Sequence, residues 1–187
     1  MKYLVAGLGN IGSEYANTRH NVGFDVADTL VKELNGTFKV DRLAAVSLVK
    51  YKSRTLVVIK PTTYMNLSGK AVKYWLEKEK IPIENLLVVL DDIALPFGAL
   101  RLRPQGSDSG HNGLNHIIQT LGSNKFARLR FGIGKNFKRG YQIDYVLGEW
   151  TAEEKKELPF KINTAVDAVK SFATIGLERT MNAFNKK

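Results

Sequence analysis

Three short, almost unbroken apolar runs constrain this chain most: "YLVAGL" at 3–8, "TLVVI" at 55–59 and "NLLVVL" at 85–90. A strand with one face in water alternates apolar and polar residues. Runs without alternation suit strands covered by helices on both faces, as in a largely parallel sheet. Helical periodicity fills the intervals. Val22, Val26, Ala27, Leu30, Val31 and Leu34 form one apolar face, with Asn21 as the expected N-cap and Asn35-Gly36 as the stop. Leu67, Ala71, Tyr74 and Trp75 form a second face. Leu114, Ile117, Ile118 and Leu121 form a third, ended by Gly122. "TAEE" from Thr151 is a capping box, after which Pro159 is expected to kink or end the first turns. Ile162, Ala165, Val166, Val169 and Ala173 carry a longer helix to Gly176, and Leu177, Met181 and Phe184 a final amphipathic piece. Residues 37–60 and 99–148 hold further strand-like runs, expected to be partly antiparallel. The expected fold class is α/β: a single-domain three-layer α/β/α sandwich over residues 1–187, with a mixed, mostly parallel central sheet.

Length and composition narrow the function. A chain of 187 residues suits one well-buried core and is short for two. No apolar run approaches a membrane span, and "MKYLVAGLG" reads as a first strand, not a secretory signal. A cytoplasmic protein that does not contact membranes is expected. The absence of cysteine excludes thiolate nucleophiles, thiolate metal sites and disulfides. A formal charge of +10 points to a polyanionic partner, because basic side chains gain by neutralising phosphates and releasing counterions. The surplus is spread over "RLR" at 101–103, "RLR" at 128–130, "GKNFKRG" at 134–140 and the closing Lys pair. A solvated basic surface is the plainer reading of the same charge.

In an open α/β sheet, ligands bind beyond the carboxyl ends of the strands. Strand one ends in "GLGN", with Asn10. The run at 55–59 passes through "PTTYMN", with Tyr64, Met65 and Asn66, and the run at 85–90 ends in Asp91-Asp92. "GHNG" at 110–113 opens the third helix with Asn112. Gly7, Gly9 and Gly12 have the spacing of a dinucleotide loop, but that loop needs its helix to start near the third glycine. Here "SEYANTRHN" follows without apolar helical period. The glycines are therefore read as permitting a close backbone approach. His20 is the candidate base, and a strand-end carboxylate would fix its tautomer. Asp91 is preferred to Asp92, which alternation points the other way. Asn10, Asn66 and Asn112 each have a bland reading as helix caps or turn residues. Gathered in one cleft, they supply the uncharged donors and acceptors that an ester or peptide requires.

Other chemistries fit less well. "GSDSG" at 106–110 carries Asp108 where a nucleophile elbow needs serine. There is no H-E-x-x-H and no Walker loop. His111 and His116, five apart, do not share a helix face. Asp91-Asp92 alone is a poor Mg²⁺ site.

"GLGNIGSEYANTRHNVGF", "PTTYMNLSGKAV", "LDDIALPFG", "SGHNGL" and "RLRFGIG", in this order, resemble the bacterial peptidyl-tRNA hydrolase family over nearly the whole chain. After about Trp150 the likeness lies in length and helical character more than in motif. The resemblance implies hydrolysis of the ester joining a peptide to the 3′ ribose of tRNA, recycling tRNA from stalled translation by a monomeric cytosolic enzyme without metal or organic cofactor. It implies His20 as general base, Asp91 as its orienting acid and Asn10 as a sensor of the blocked amino group. Tyr15, Tyr64, Asn66 and Asn112 would contact the tRNA end and peptide, Met65 would pack beside them, and Arg103 and Arg130 would grip phosphate. Two positions depart from the family pattern: Ser109 stands where a second glycine is usual, and Ala94 where many relatives carry an acid. Two other readings compete. One is an RNA-binding adaptor on the same scaffold without turnover, which would need no base with an orienter. The other is a small-molecule ester or amide hydrolase, which would be indifferent to tRNA and salt.

Overall fold

The computed structural model describes residues 1–185. Its strands are β1 Lys2–Gly7, β2 Lys39–Asp41, β3 Ala44–Tyr51, β4 Arg54–Pro61, β5 Leu86–Asp92, β6 Leu100–Arg103 and β7 Ala127–Gly132. They form one seven-stranded sheet in the order β2-β3-β4-β1-β5-β7-β6. The four neighbours β4, β1, β5 and β7 are parallel, and β3 and β6 run antiparallel on either side. All three apolar runs lie in this parallel centre.

The helices explain why those runs do not alternate. α1 (Val22–Glu33) and α5 (Ala152–Ile175) share a core with Val5, Val58, Leu87, Val89, Leu129 and Phe131 on one face of the sheet. α2 (Ser68–Lys78) and α3 (Asn112–Leu121) share another with Leu4, Ala6, Val57, Ile59, Val88 and Leu90 on the other. Successive strand residues point to opposite faces and both faces are dry, so each position gains by being apolar. The result is the three-layer α/β/α arrangement. A short α4 (Gln142–Val146) precedes α5, and α6 (Leu177–Phe184) packs on α5 and β6. No helix among the described residues is long and apolar enough to cross a membrane.

Local chemistry sets the helix ends. α3 stops at Gly122 in the left-handed conformation, φ 69°, where an added Cβ is costly. Thr151 Oγ1 accepts from Glu154 N–H at 3.1 Å while Glu154 Oε1 accepts from Thr151 N–H at 2.9 Å, completing the capping box. Two expectations need correction. Of the kink or end expected at Pro159, the end does not occur, since α5 runs through it to Ile175. The hydrogen bond it removes lies on an exposed stretch that includes Lys155, Lys156 and Phe160, where water can serve the freed carbonyl, and the buried face beyond holds the helix together. Asn21 precedes α1 but makes no side-chain cap; its amide is used elsewhere, as described below. The closing Lys186-Lys187 of the basic surplus lies outside the described residues.

Gly7 shows what the glycines near the amino end do. A Cβ there would lie 2.2 Å from the Gly23 carbonyl oxygen, so α1 crosses the end of β1 at backbone contact. The segment between them contains two single 3-10 turns, Ser13–Tyr15 and Arg19–Asn21, and no α-helix begins at Gly12.

Candidate active site

Because β4, β1 and β5 are parallel neighbours, their carboxyl ends emerge side by side. Asp91, 4% exposed, sits near the end of β5. Its Oδ2 is 2.9 Å from His20 Nδ1, and its Oδ1 is 2.8 Å from His111 Nε2. The 3-10 turn that carries His20 is held on both sides. Arg19 N–H donates to Gly148 O at 3.0 Å, and Asn21 N–H to Thr18 O at 3.1 Å. The buried Arg19 guanidinium donates to Tyr145 O at 3.1 Å and to Glu154 Oε1 at 3.2 Å.

These contacts settle the protons. Burial alone would raise the Asp91 pKa, but the two imidazoles hold it well below the usual carboxylate range, so it is ionised. Leu114 N–H donates to His111 Nδ1 at 3.2 Å, which places the His111 proton on Nε2, facing Asp91. His20 likewise donates from Nδ1, leaving the Nε2 lone pair toward the cleft. Burial lowers the His20 pKa, yet the charge and hydrogen bond of Asp91 outweigh it and the net shift is upward. The ligating atoms of His20, Asp91 and His111 lie within 4.8 Å of one another, a spacing that could suit a transition metal. A metal there would have to displace the His111 Nε2 proton, which the Leu114 N–H forbids from moving to Nδ1. The three groups fit a hydrogen-bonded chain better than a metal site.

Asn10 and Asn21 interlock. Asn10 N–H donates to Asn21 Oδ1 and Asn21 Nδ2 donates to Asn10 O, both at 2.8 Å. Asn10 Oδ1 in turn accepts from Met65 N–H at 2.6 Å. Only an oxygen can face that donor, so the Nδ2 hydrogens are the part of the Asn10 amide left without a partner among the described residues. Met65 is 4% exposed, and the residue before it, Tyr64, has φ 38°. This is an unfavourable backbone for a side-chain-bearing residue, sustained by the Asn10 anchor. Tyr64 is 52% exposed, with its ring 6.5 Å from that of Tyr15. Asn66 and Asn112 are exposed and neither caps its helix: Leu67 precedes α2, and the His111 side chain caps α3.

His20, Asp91, His111, Asn112, Ser109 and Arg130 line a common cleft, closed on one side by Gln142, Ile143 and Val146 around α4. Arg130 donates to Ser107 O at 3.1 Å and lies 3.6 Å from Asp92 Oδ2, while Asp92 Oδ1 accepts from Ala94 N–H at 2.8 Å. Ser109 has φ 52°, the left-handed region that glycine adopts more easily. Arg103 is exposed on the edge strand β6, opposite Arg128 of β7. Arg128 itself does not belong to the basic surface. It is fully buried, stacks on Phe126 and donates to the Phe126, Gly106 and Asn124 carbonyls at 3.1, 3.0 and 2.8 Å. Burial, with help from Arg130, pushes its pKa down to about 10, so it remains charged and ties the 106–110 loop to β7. Sequence reasoning missed His111, Asn21 and the buried role of Arg128. Only the "GHNG" opening of α3 hinted at the first.

A second cavity, of about 340 Å³, lies on the other side of the Asn10–Asn21 pair, between α1 and the β3–β4 strands. Asp25 faces it. Burial and the adjacent Asp28 push the Asp25 pKa up to about 7, against a smaller opposing pull from Lys60. The folded value exceeds the unfolded one, so ionisation costs stability: the penalty is absent below about pH 4, grows through the interval and is complete above about pH 7. Asp25→Asn is expected to raise the thermal unfolding midpoint at about pH 8, by a stability gain of up to about 4 kcal/mol, with the gain vanishing near pH 4. Unfolding scans at both pH values check it, and equal effects at the two would refute the assignment.

Fold and site define an α/β protein whose carboxyl-edge cleft holds a carboxylate-bound histidine with its second ring nitrogen unengaged among the described residues. Comparison with known proteins gives this class a family. The model of the family described as peptidyl-tRNA hydrolase matches residues 4–187, and the chain belongs to that family. A relative from Cytophaga hutchinsonii, named peptidyl-tRNA hydrolase, is 60% identical over 187 residues, 100% of both chains. One of the same name from Phocaeicola vulgatus is 57% identical, again over 100% of both. The crystal structure of peptidyl-tRNA hydrolase from Acinetobacter baumannii is similar with a TM-score of 0.92 at 32% identity, over 98% of this chain and 94% of that one.

Proposed function

We propose that this protein hydrolyses the ester between a peptide, or any N-blocked aminoacyl group, and the 3′ ribose of tRNA, recycling tRNA from stalled translation. The observation that carries the mechanism is the His111–Asp91–His20 chain, which leaves one basic nitrogen facing the cleft. His20 Nε2 takes a proton from water as the water oxygen attacks the ester carbonyl. The imidazolium formed beside ionised Asp91 then returns that proton to the departing 3′ oxygen. An alcohol leaves more readily than an amine, so general-base attack suffices without a covalent intermediate.

The asparagines supply selection. With its Oδ1 engaged by Met65 N–H, Asn10 turns its Nδ2 donors to the substrate. An N-acyl carbonyl gives them an acceptor, whereas a free ammonium brings further donors and a positive charge. This is a physical basis for preferring blocked substrates. Asn66 and Asn112 hold the ester carbonyl and water, Met65 packs beside the peptide, and Tyr15 and Tyr64 offer exposed rings to the tRNA end. Arg103 and Arg130 grip phosphate, so that tRNA binding becomes proximity at His20. Residues 1–187 act as one unit, a cytoplasmic monomer.

The direct test is release of peptide from N-blocked aminoacyl-tRNA by purified protein, measured in single turnover beside equilibrium tRNA binding. Binding without release would favour the adaptor. The tRNA contribution has its own signature. kcat/KM is expected to fall steeply with salt through counterion release. Arg103→Ala should reduce the slope of log(kcat/KM) against log[salt] by about 1. A salt-independent rate would point instead to a small-molecule esterase.

A further inference from the structure

Resting on the hydrolase reading, we propose that the cavity bounded by Asn10, Asn21, Phe24, Asp25, Lys60 and Thr62 receives the peptide residue preceding the esterified one, and that Asp25 makes it prefer a basic side chain.

Topology carries the first half. Two arms diverge from the scissile ester, the ribose with its tRNA and the peptide. The cleft at His20 lies at the ends of β5 and β7, with Asp91, Asp92 and Arg130 in its lining. Arg130 of β7 lines the cleft itself and Arg103 stands beyond it on the edge strand β6, so the phosphate-binding side is the β7–β6 side. The second cavity stands on the opposite side, floored by Ala45 of β3 with Lys60 and Thr62 at the end of β4, and walled by α1. The hydrogen-bonded Asn10 and Asn21 line the cavity, not the cleft, and the link to the cleft is along the chain: Asn21 directly follows His20, which lines the cleft. An acyl chain held by Asn10 and continuing away from the phosphate-binding side therefore enters this cavity. Its volume, about 340 Å³, is that of a small-ligand pocket.

Charge carries the second half. The cavity is unsuited to a nucleic-acid backbone, because two carboxylates, Asp25 and Asp28, face a single lysine. Lys60 is already engaged: its ammonium donates to Asp28 Oδ1 and lies 4.3 Å from the centre of the Phe38 ring. Asp25 is left largely buried, with no hydrogen-bond donor from the described residues and no cation of its own. A lysine or arginine side chain entering from the cavity supplies both. A carboxylate side chain would meet two like charges.

The experiment uses a series N-acetyl-X-Ala-tRNA, with X as lysine, norleucine or glutamate, and N-acetyl-Ala-tRNA as the substrate lacking a preceding residue. The tRNA and the esterified residue are constant, so differences in kcat/KM report the cavity alone. At about pH 8, above the Asp25 pKa, wild type is expected to favour lysine over norleucine by about tenfold and to place glutamate last. In Asp25→Asn the lysine-to-norleucine ratio should fall to about 1, and Asp25→Glu should restore part of it. Equal rates across the series in wild type, or a lysine preference that survives Asp25→Asn, would overturn the subsite. The wild-type series decides the matter even if a variant folds poorly. A wild type that releases peptide from none of the four, N-acetyl-Ala-tRNA included, would instead remove the hydrolase reading, and the subsite with it.

Discussion

His20→Ala is expected to lower kcat/KM for N-blocked aminoacyl-tRNA by about 10²–10⁴-fold, the range that a positioned general base supplies. The loss should fall on kcat, with little change in KM. Nothing that holds the turn depends on the imidazole: Arg19 fastens it through its backbone to Gly148 and through its guanidinium to Tyr145 and Glu154, and Asn21 fastens it through the Asn10 backbone. Among the described residues the His20 side chain makes one hydrogen bond, to Asp91. With the ring gone, Asp91 keeps the His111 hydrogen bond and therefore one of its two counter-partners. The fold should survive, tRNA capture should persist, and only proton removal from water should be missing. Single-turnover release beside equilibrium binding separates these effects. Full activity in the variant would exclude His20 as the base, and loss of tRNA binding would mean that the imidazole serves recognition instead.

What the sequence disclosed and what it concealed divide along one physical line. Features decided by near neighbours in the chain could be read. The unbroken runs in β1, β4 and β5 announce strands buried on both faces, the Thr151–Glu154 box announces a helix start, and a strand that closes on Asp91 announces a carboxylate at the binding edge. Features decided by partners far along the chain could not. The spacing of His111 and His116 speaks only to a shared helix face, whereas His111 stands at the N-cap of α3, where a Leu114 N–H orients it toward a carboxylate twenty positions earlier. Asn21 had the composition of a cap. The half-buried backbone of Asn10, which would otherwise be left unpaired beside the core, claims its amide instead. Arg128 looked like surface charge because its three carbonyl partners gather only when the 106–110 loop folds back over β7. Pro159 opposes its helix by local propensity alone, and the buried face of α5 overrides it.

Asp91→Asn tests the proton arrangement more severely than any truncation, because it changes one charge and almost no volume. His111 can donate only from Nε2, since Leu114 N–H occupies its Nδ1. The new amide must therefore turn its oxygen to His111 and its NH₂ group to His20. His20 Nδ1 then has to accept, its proton moves to Nε2, and the nitrogen facing the cleft loses its lone pair. The expected fall in kcat is at least about 10²-fold, approaching 10⁴ as the wrong tautomer dominates. The pH dependence gives the sign. In wild type Asp91 holds the His20 pKa above the ordinary 6.5 despite burial, so kcat/KM should rise with pH through a limb above that value. In the variant the attractive charge is gone and burial remains, which disfavours the imidazolium. The limb of the residual activity should therefore move to lower pH, below 6.5. A pH–rate profile of the variant that keeps the wild-type limb would show that Asp91 neither charges nor orients the base, and that its contact with His20 serves packing alone.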